Sequence, residues 1–215
     1  MPVSVARRTA GVALVLAALA SSCAESIVQV RESAVGPGQV LVLKRVAVAP
    51  FRVSPRPASA AISDGEATLV AGYVADALAS RGLDVVPSSD VEQALGADAN
   101  TADTRSLIAV ARDHFGADAV VVGTLYRFLD RSGQAMGSTY PSSVGYEVKL
   151  FSAQGKVLWS SIFDHTQVAL GENALTATQY PGGGTRWLTV GELARWGAGR
   201  LVQAIPLAQA QAASK

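Results

Sequence analysis

The chain has 215 residues, 49% of them apolar, and its 18 basic and 17 acidic side chains leave it nearly neutral. The apolar content excludes wholesale disorder, and the balanced, unclustered charge provides no basic face for nucleic acid. One cysteine and two histidines exclude a disulfide framework and a histidine-rich metal site, so we expect neither a metal nor another cofactor.

The N-terminus has the order of a secretory signal. Arg7 and Arg8 precede an uncharged apolar run over residues 11–20, and small residues lead from that run to Cys23. The run is well short of the roughly 20 residues needed to cross a bilayer as a helix. Residues 1–22 are therefore predicted to be a signal peptide that is removed. Ordinary cleavage near Ala20 would leave Cys23 as an incidental free thiol.

The segment Leu19-Ala20-Ser21-Ser22-Cys23 resembles the lipobox of bacterial lipoproteins. In those proteins the cysteine sulfur carries a diacylglycerol, and the cysteine becomes the first residue after cleavage. The resemblance implies lipid attachment at Cys23, which holds a protein at a membrane without a spanning helix. Inner-membrane lipoproteins typically carry Asp at the next position, so Ala24 implies the outer membrane, with the protein facing the periplasm.

Residues 23–40 are predicted to be the lipidated end and a tether, because Gly36-Pro37-Gly38 interrupts regular structure. Ile27, Val28 and Val30 could still add a short strand. Residues 41–206 are predicted to form one periplasmic domain.

The domain is predicted to open with a strand over residues 45–51 and a helix over residues 64–81. Ser63 and Glu66 have the spacing of a capping box at the start of this helix, and Gly82 is placed to end it. A short strand over 83–86 and two further helices, the second ending at Gly116, are expected to follow.

The second half of the domain is predicted to contain the centre of the sheet and a hairpin. Residues 119–126 are apolar without alternation, which indicates a strand covered on both faces. Alternating residues 146–150 and the run 157–163 are expected to pair across a turn at Gln154-Gly155. A last helix should begin at Val190, capped by Thr189 with Glu192, and residues 207–215 are expected to be a disordered tail.

These elements predict the class α/β (α+β), with one mixed β-sheet of about five strands, helices packed on it, and a C-terminal hairpin followed by a terminal helix. We find no internal repeat.

Three passages resemble a group of envelope proteins that includes CsgG-like and LpoB-like lipoproteins and the N-terminal domain of TolB. They are Val46-Ala47-Val48-Ala49-Pro50-Phe51, Arg81-Gly82-Leu83-Asp84-Val85-Val86 and residues 116–123. The resemblance covers residues 41–165 and concerns the fold. It implies a non-catalytic part of an envelope machine, such as an activator of peptidoglycan synthases, a translocation component or a secretion-pore subunit.

The segment between the hairpin and the last helix contains the candidate site residues. Tyr180, Arg186 and Trp187 flank a glycine-rich loop, and aromatic and arginine side chains dominate interface energetics. In the alternative, Trp187 packs under the loop and Arg186 pairs with an acid such as Glu172. The loop lacks the Gly-Lys-Ser/Thr of a phosphate-binding loop.

Asp164 and His165 are further candidates for contact with a partner. In the alternative interpretation, they form only a polar cluster at the end of a strand. His114 is read as a surface residue near a helix C-terminus, where a cation is mildly favoured. No positioned nucleophile accompanies either histidine, so a catalytic site is not predicted.

The sequence therefore predicts a non-enzymatic, lipid-anchored accessory protein that docks on another envelope protein. One alternative is a homo-oligomeric CsgG-like secretion subunit. Another is a glycan-binding or small-ligand-binding module that uses residues 180–187, in which Asp164 and Glu172 would be the nearest pair of carboxylates.

Overall fold

The computed structural model describes residues 27–55, 62–99 and 101–208. The predicted signal peptide, Cys23 and residues 209–215 of the predicted tail lie outside this part of the chain. The strands are β1 (Val28–Ser33), β2 (Arg45–Val48), β3 (Arg52–Val53), β4 (Asp84–Val86), β5 (Ala119–Leu129), β6 (Ser132–Gln134), β7 (Gly137–Tyr140), β8 (Ser143–Ser152) and β9 (Val157–Thr166). The helices are α1 (Asp64–Ser80), α2 (Ser88–Leu95), α3 (Thr104–Asp113), α4 (Ala174–Ala177) and α5 (Val190–Gln203).

The main sheet is mixed and has seven strands in the order β1-β9-β8-β5-β2-β4, with β3 also paired to β5. This confirms the predicted class, although the sheet is larger than the five strands expected. β2 runs parallel to β4 and β5, whereas β5, β8, β9 and β1 are successively antiparallel. The apolar strand β5 lies inside the sheet, as its lack of alternation predicted.

Helices cover both faces of the sheet around β5. α1 and α5 pack on one face, where the largest core side chains are Trp159, Tyr146 and Phe163. α2 and α3 pack on the other face against Ala47 and Val120. This arrangement explains why β5 is apolar on both sides, since its alternate residues enter two different cores.

Two capping boxes fix the starts of the long helices, as predicted. The Ser63 hydroxyl accepts a hydrogen bond from the Glu66 N–H, and the Glu66 carboxylate accepts one from the Ser63 N–H. Thr189 and Glu192 repeat the arrangement at the start of α5. Each box satisfies backbone N–H groups that have no partner inside the helix.

Within the described ranges, residues outside the predicted domain contribute to the fold at both ends. β1 pairs with β9, with Val28 opposite Phe163, so part of the predicted tether is an edge strand. Leu207 is buried and bridges to Leu41, which places it inside the fold rather than in the tail. Gly36 and Gly38 lie beyond the end of β1 at Ser33, so they do not interrupt the strand. No helix in the described ranges combines the length and apolar character needed to cross a bilayer.

Candidate functional site

The predicted site residues lie at one end of the sheet. β5 and β9 finish at this end and β8 begins there, because Leu129 pairs with Ser143 and Ser143 pairs with Thr166. Two segments extend from it: the β6–β7 hairpin, which was not predicted, and residues 167–189, here called the β9–α5 connection. Both contain exposed residues, so this end of the sheet is the candidate functional surface.

Buried hydrogen bonds fix the β9–α5 connection in place. The Gln167 side chain is 3% exposed. Its amide nitrogen donates to the Arg186 carbonyl at 2.9 Å, and its amide oxygen accepts from the Leu188 N–H at 2.7 Å. The Ser142 hydroxyl donates to the Leu188 carbonyl at 2.7 Å. The backbone on either side of Trp187 is therefore tied to β9 and to the start of β8.

The β6–β7 hairpin packs against the same connection. The Trp187 N–H donates to the Ala135 carbonyl at the hairpin tip at 2.8 Å, and the Arg131 guanidinium donates to the Trp187 carbonyl at 2.9 Å. Asp130 accepts a hydrogen bond from the Val190 N–H at the start of α5. The hairpin region, the connection and the start of α5 thus meet at Trp187, whose backbone N–H and carbonyl are both held by hydrogen bonds.

Arg186 forms a bidentate ion pair with Glu192, at 2.9 and 2.7 Å. Sequence reasoning expected an acid such as Glu172, but Glu172 instead accepts a hydrogen bond from the Ala169 N–H. The hydrogen bond from Arg186 and those from Thr189 lower the pKa of Glu192 to about 2, against the opposing effect of burial. Glu192 therefore joins the capping box of α5 to the connection.

Replacing Glu192 with glutamine is expected to test this link through its pH dependence. Glutamine can retain the capping box, so the change removes the ion pair alone, at a cost of roughly 1 kcal/mol after solvent screening. Because the folded pKa lies below the ordinary value of 4.5, the ion pair contributes fully above pH 4.5 and is lost as the pH falls through about 2.

The measurement is urea denaturation of the parent and of Glu192→Gln at a series of pH values. The two free energies of unfolding should differ at pH 7 and converge between pH 4.5 and 2. Glu172→Gln, a change at an exposed acid of the same connection, should show no such convergence. A difference that persists unchanged to the lowest pH would contradict the assignment.

His165 and Tyr180 belong to an aromatic cluster with Phe163 and Trp196. The Tyr180 hydroxyl is 2.6 Å from His165 Nε2 and accepts a hydrogen bond from the Val168 N–H. The Tyr180 and Trp196 rings are edge to face, with centroids 5.0 Å apart. Burial lowers the pKa of His165, an effect that Asp164 opposes, and burial raises the pKa of Tyr180. Tyr180 is only 3% exposed, so it supports the connection and offers almost no surface to a partner.

Asp164 lies on the opposite face of the sheet from His165. Adjacent residues of a strand point to opposite faces, and Asp164 pairs in register with Gly145, over which the Tyr126 ring packs. There Asp164 forms an ion pair with Arg127. Burial, together with Asp164, raises the pKa of Tyr126 above its usual range. The structure therefore brings His165 and Tyr180 together and places Asp164 on the other face of the sheet. Arg186 and Trp187, which are neighbours in the chain, are both partly buried.

The surface beside Trp187 is a shallow depression rather than a ligand pocket. Its volume is about 80 Å³, and Met136, Leu170, Arg186 and Trp187 are among its lining residues. Small-molecule sites usually enclose at least about 300 Å³. Among the described residues, no group of three or more His, Cys, Asp or Glu side chains could hold a metal ion. The depression has the size and exposed apolar rim of a contact surface.

No protein-family model and no curated relative matches this sequence. PelC of Paraburkholderia phytofirmans, solved as a dodecamer, superposes with a TM-score of 0.50 at 15% identity, over 84% of this chain and 98% of that chain. Lipoprotein GNA1162 of Neisseria meningitidis superposes with a TM-score of 0.41 at 18% identity, over 57% of this chain and 80% of that chain. The LpoB C-terminal domain of Escherichia coli superposes with a TM-score of 0.40 at 21% identity, over 58% of this chain and 83% of that chain. At these identities the comparisons concern the fold, and the chain shares that fold with PelC.

Proposed function

We propose that this chain is a non-enzymatic lipoprotein of the bacterial envelope, anchored in the outer membrane through Cys23 and facing the periplasm. In this proposal residues 1–22 are the removed signal, and the folded domain is an accessory subunit that docks on another envelope protein. The observation that carries it is the position of the only cysteine in the chain, directly after an apolar run and the small residues of a lipobox.

The geometry of the candidate site supports a binding role rather than catalysis. The ionisable groups there have structural partners: Asp164 pairs with Arg127, Glu192 with Arg186, and His165 with Tyr180. General acid–base or nucleophilic catalysis needs such a group aimed at a substrate. A backbone fixed around Trp187, with exposed Met136 beside it, suits a preformed contact surface.

The experiment that tests the proposal compares the parent with Cys23→Ser, both produced with the native N-terminus in a Gram-negative host. The parent should sediment with membranes, and its mass should exceed that of the chain from residue 23 by the attached acyl groups. Cys23→Ser has no thiol to acylate, so its mass should show no acyl groups and it should be lost from the outer-membrane fraction. Ser22→Ala retains a small residue before the cysteine and should behave like the parent. An unmodified sulfur in the parent would refute the proposal.

A second candidate function is a homo-oligomeric secretion subunit. It is favoured by the PelC comparison, because the protein with that fold was solved as a dodecamer. The mass of the acylated chain in mild detergent separates the candidates, since a ring requires a multiple of the subunit mass. A monomer would exclude the ring and leave the docking role.

A further inference from the structure

The proposed acylation places a strict limit on the distance between the domain and the membrane. Cys23 is four residues before Ile27, the first residue that the structure describes. A fully extended chain spans at most about 3.3–3.6 Å per residue, so the two Cα atoms are no more than about 14 Å apart. The acyl chains on Cys23 would lie in the bilayer. The start of β1 must then be close to the membrane surface.

The strand register shows which end of the domain this is. Val28, at the start of β1, pairs with Phe163, three residues before the end of β9 at Thr166. The start of β1 is therefore at the end of the sheet from which the β6–β7 hairpin and the β9–α5 connection extend. β1 continues away from this end until Ser33 pairs with Trp159. The candidate functional surface is thus at the end of the sheet that the short segment from Cys23 to Ile27 holds near the bilayer.

Four of the nine exposed large apolar side chains in the described ranges lie on the two segments at this end. Met136 at the hairpin tip is 83% exposed, and Leu170 in the connection is 41% exposed. Both line the shallow depression beside Trp187. Tyr140 and Leu175 on the same two segments are also exposed. Aromatic and apolar side chains of this kind are favoured at the boundary between headgroups and acyl chains.

The charge of the two segments is balanced. Residues 127–142 and 164–189, which span both segments and the strand ends that flank them, contain three arginines, three acids and no lysine; the charged residues are Arg127, Arg131, Arg186, Asp130, Asp164 and Glu172. Two of the arginines are already paired with acids. Attraction to anionic lipid headgroups requires an excess of basic side chains. Contact with a bilayer at this end would therefore depend on apolar side chains.

We infer that the β6–β7 hairpin tip and the adjacent part of the β9–α5 connection insert their apolar side chains, Met136 and Leu170 first among them, into the surface of the bilayer that holds the acyl chains. The inference rests on the proposed acylation of Cys23. It assigns the contact surface at this end of the domain to the lipid surface, so that docking on another envelope protein would use other faces of the domain, and it leaves the opposite end of the sheet directed into the periplasm.

The test uses the full, acylated chain with a fluorophore at one introduced cysteine. Because acylation consumes Cys23, Met136→Cys provides a unique thiol for an environment-sensitive dye, and Leu170→Cys provides a second position. Val42→Cys is the matched control: Val42 is 76% exposed and precedes β2, whose residues pair with the start of β5 at the opposite end of the sheet. Each labelled protein is reconstituted into phosphatidylcholine vesicles and floated, which confirms anchoring.

For dyes at positions 136 and 170, we expect the emission spectrum to shift to shorter wavelengths on reconstitution. We also expect these dyes to be quenched by nitroxide groups carried on lipids and to be protected from quenching by aqueous iodide. At position 42 we expect an unshifted spectrum and quenching by iodide alone. Adding phosphatidylglycerol should change none of these results, because the contact is apolar.

Three results would overturn the inference while the protein remains anchored. In the first, the dyes at positions 136 and 170 are quenched by iodide and are therefore exposed to water. In the second, neither iodide nor the lipid-borne nitroxide quenches them, as expected for dyes covered by a second copy or by another protein. In the third, the lipid-borne nitroxide quenches them only when phosphatidylglycerol is present. Failure of the parent to float would instead refute the acylation itself, and with it the limit on the distance between the start of β1 and the membrane.

Discussion

Replacing Gly197 with alanine is expected to lower the free energy of unfolding by about 2 kcal/mol, because overpacking a core costs up to about 3 kcal/mol and alanine regains about 1 kcal/mol as a better helix former. A methyl group at this position of α5 would lie 2.4 Å from Cε1 of the Phe163 ring. Phe163 is fully buried, and its ring packs against Tyr146 and Trp196. The ring has no free space to enter, so helix and sheet must move apart to admit the methyl group.

Gly199→Ala is the matched control, because it makes the same change two residues later in the same helix. Apart from the two neighbouring residues and the backbone of the helix itself, no atom lies within 4 Å of the added methyl group there. Alanine is a better helix former than glycine by about 1 kcal/mol, so this variant should be more stable than the parent. Urea denaturation followed by far-ultraviolet circular dichroism measures both. Two changes of the same sign and size would show that close packing at Gly197 does not determine the effect.

The elements that the sequence predicted well are those whose signals are local. The capping boxes at Ser63 and Thr189 each need only four consecutive residues, and the structure contains both. The apolar run of β5 indicated burial on both faces, and the alternation of β8 indicated a hairpin with β9. In each case the pattern that produces the element lies within the element itself.

The missed elements depend on distant residues or lack a pattern. β1 is stabilised by pairing with β9, which is more than 120 residues later in the chain, so composition alone suggested a tether. β6 and β7 are short and largely exposed, and they show no alternation of apolar and polar residues. Their pairing is a consequence of the β5–β8 hairpin that they extend, and it becomes visible only when that hairpin is known.

Two features of the site could have been found from the sequence. Asp164 and His165 are neighbours in a predicted strand, and alternation alone places them on opposite faces. Glu192 was already identified as a capping residue six positions after Arg186, and it is the acid that Arg186 contacts. The role of Gln167 could not have been found, because no sequence pattern marks a buried glutamine whose partners are backbone groups.

Gln167→Leu is expected to destabilise the protein by about 2–5 kcal/mol, since leucine fills similar space but makes no hydrogen bonds. The Leu188 N–H and the Arg186 carbonyl would both lose their partner, and an unsatisfied buried polar group costs about 1–3 kcal/mol. Leu188 is fully buried, so water cannot easily replace the lost acceptor. The loss should be concentrated in the β9–α5 connection, whose backbone Gln167 holds.

Hydrogen exchange distinguishes this local effect from general loss of stability. In Gln167→Leu, the amides of residues 186–189 should exchange much faster than in the parent, while those of β5 and β8 should change only in proportion to global stability. Gln179→Leu makes the same substitution at an exposed glutamine of the same connection; it removes solvent-accessible hydrogen bonds to Arg200 and to the Leu175 carbonyl and should cost at most about 1 kcal/mol. Uniform acceleration across the sheet in Gln167→Leu would mean that Gln167 stabilises the whole domain rather than its contact surface. The surface around Trp187 would then have to be rigid for some other reason.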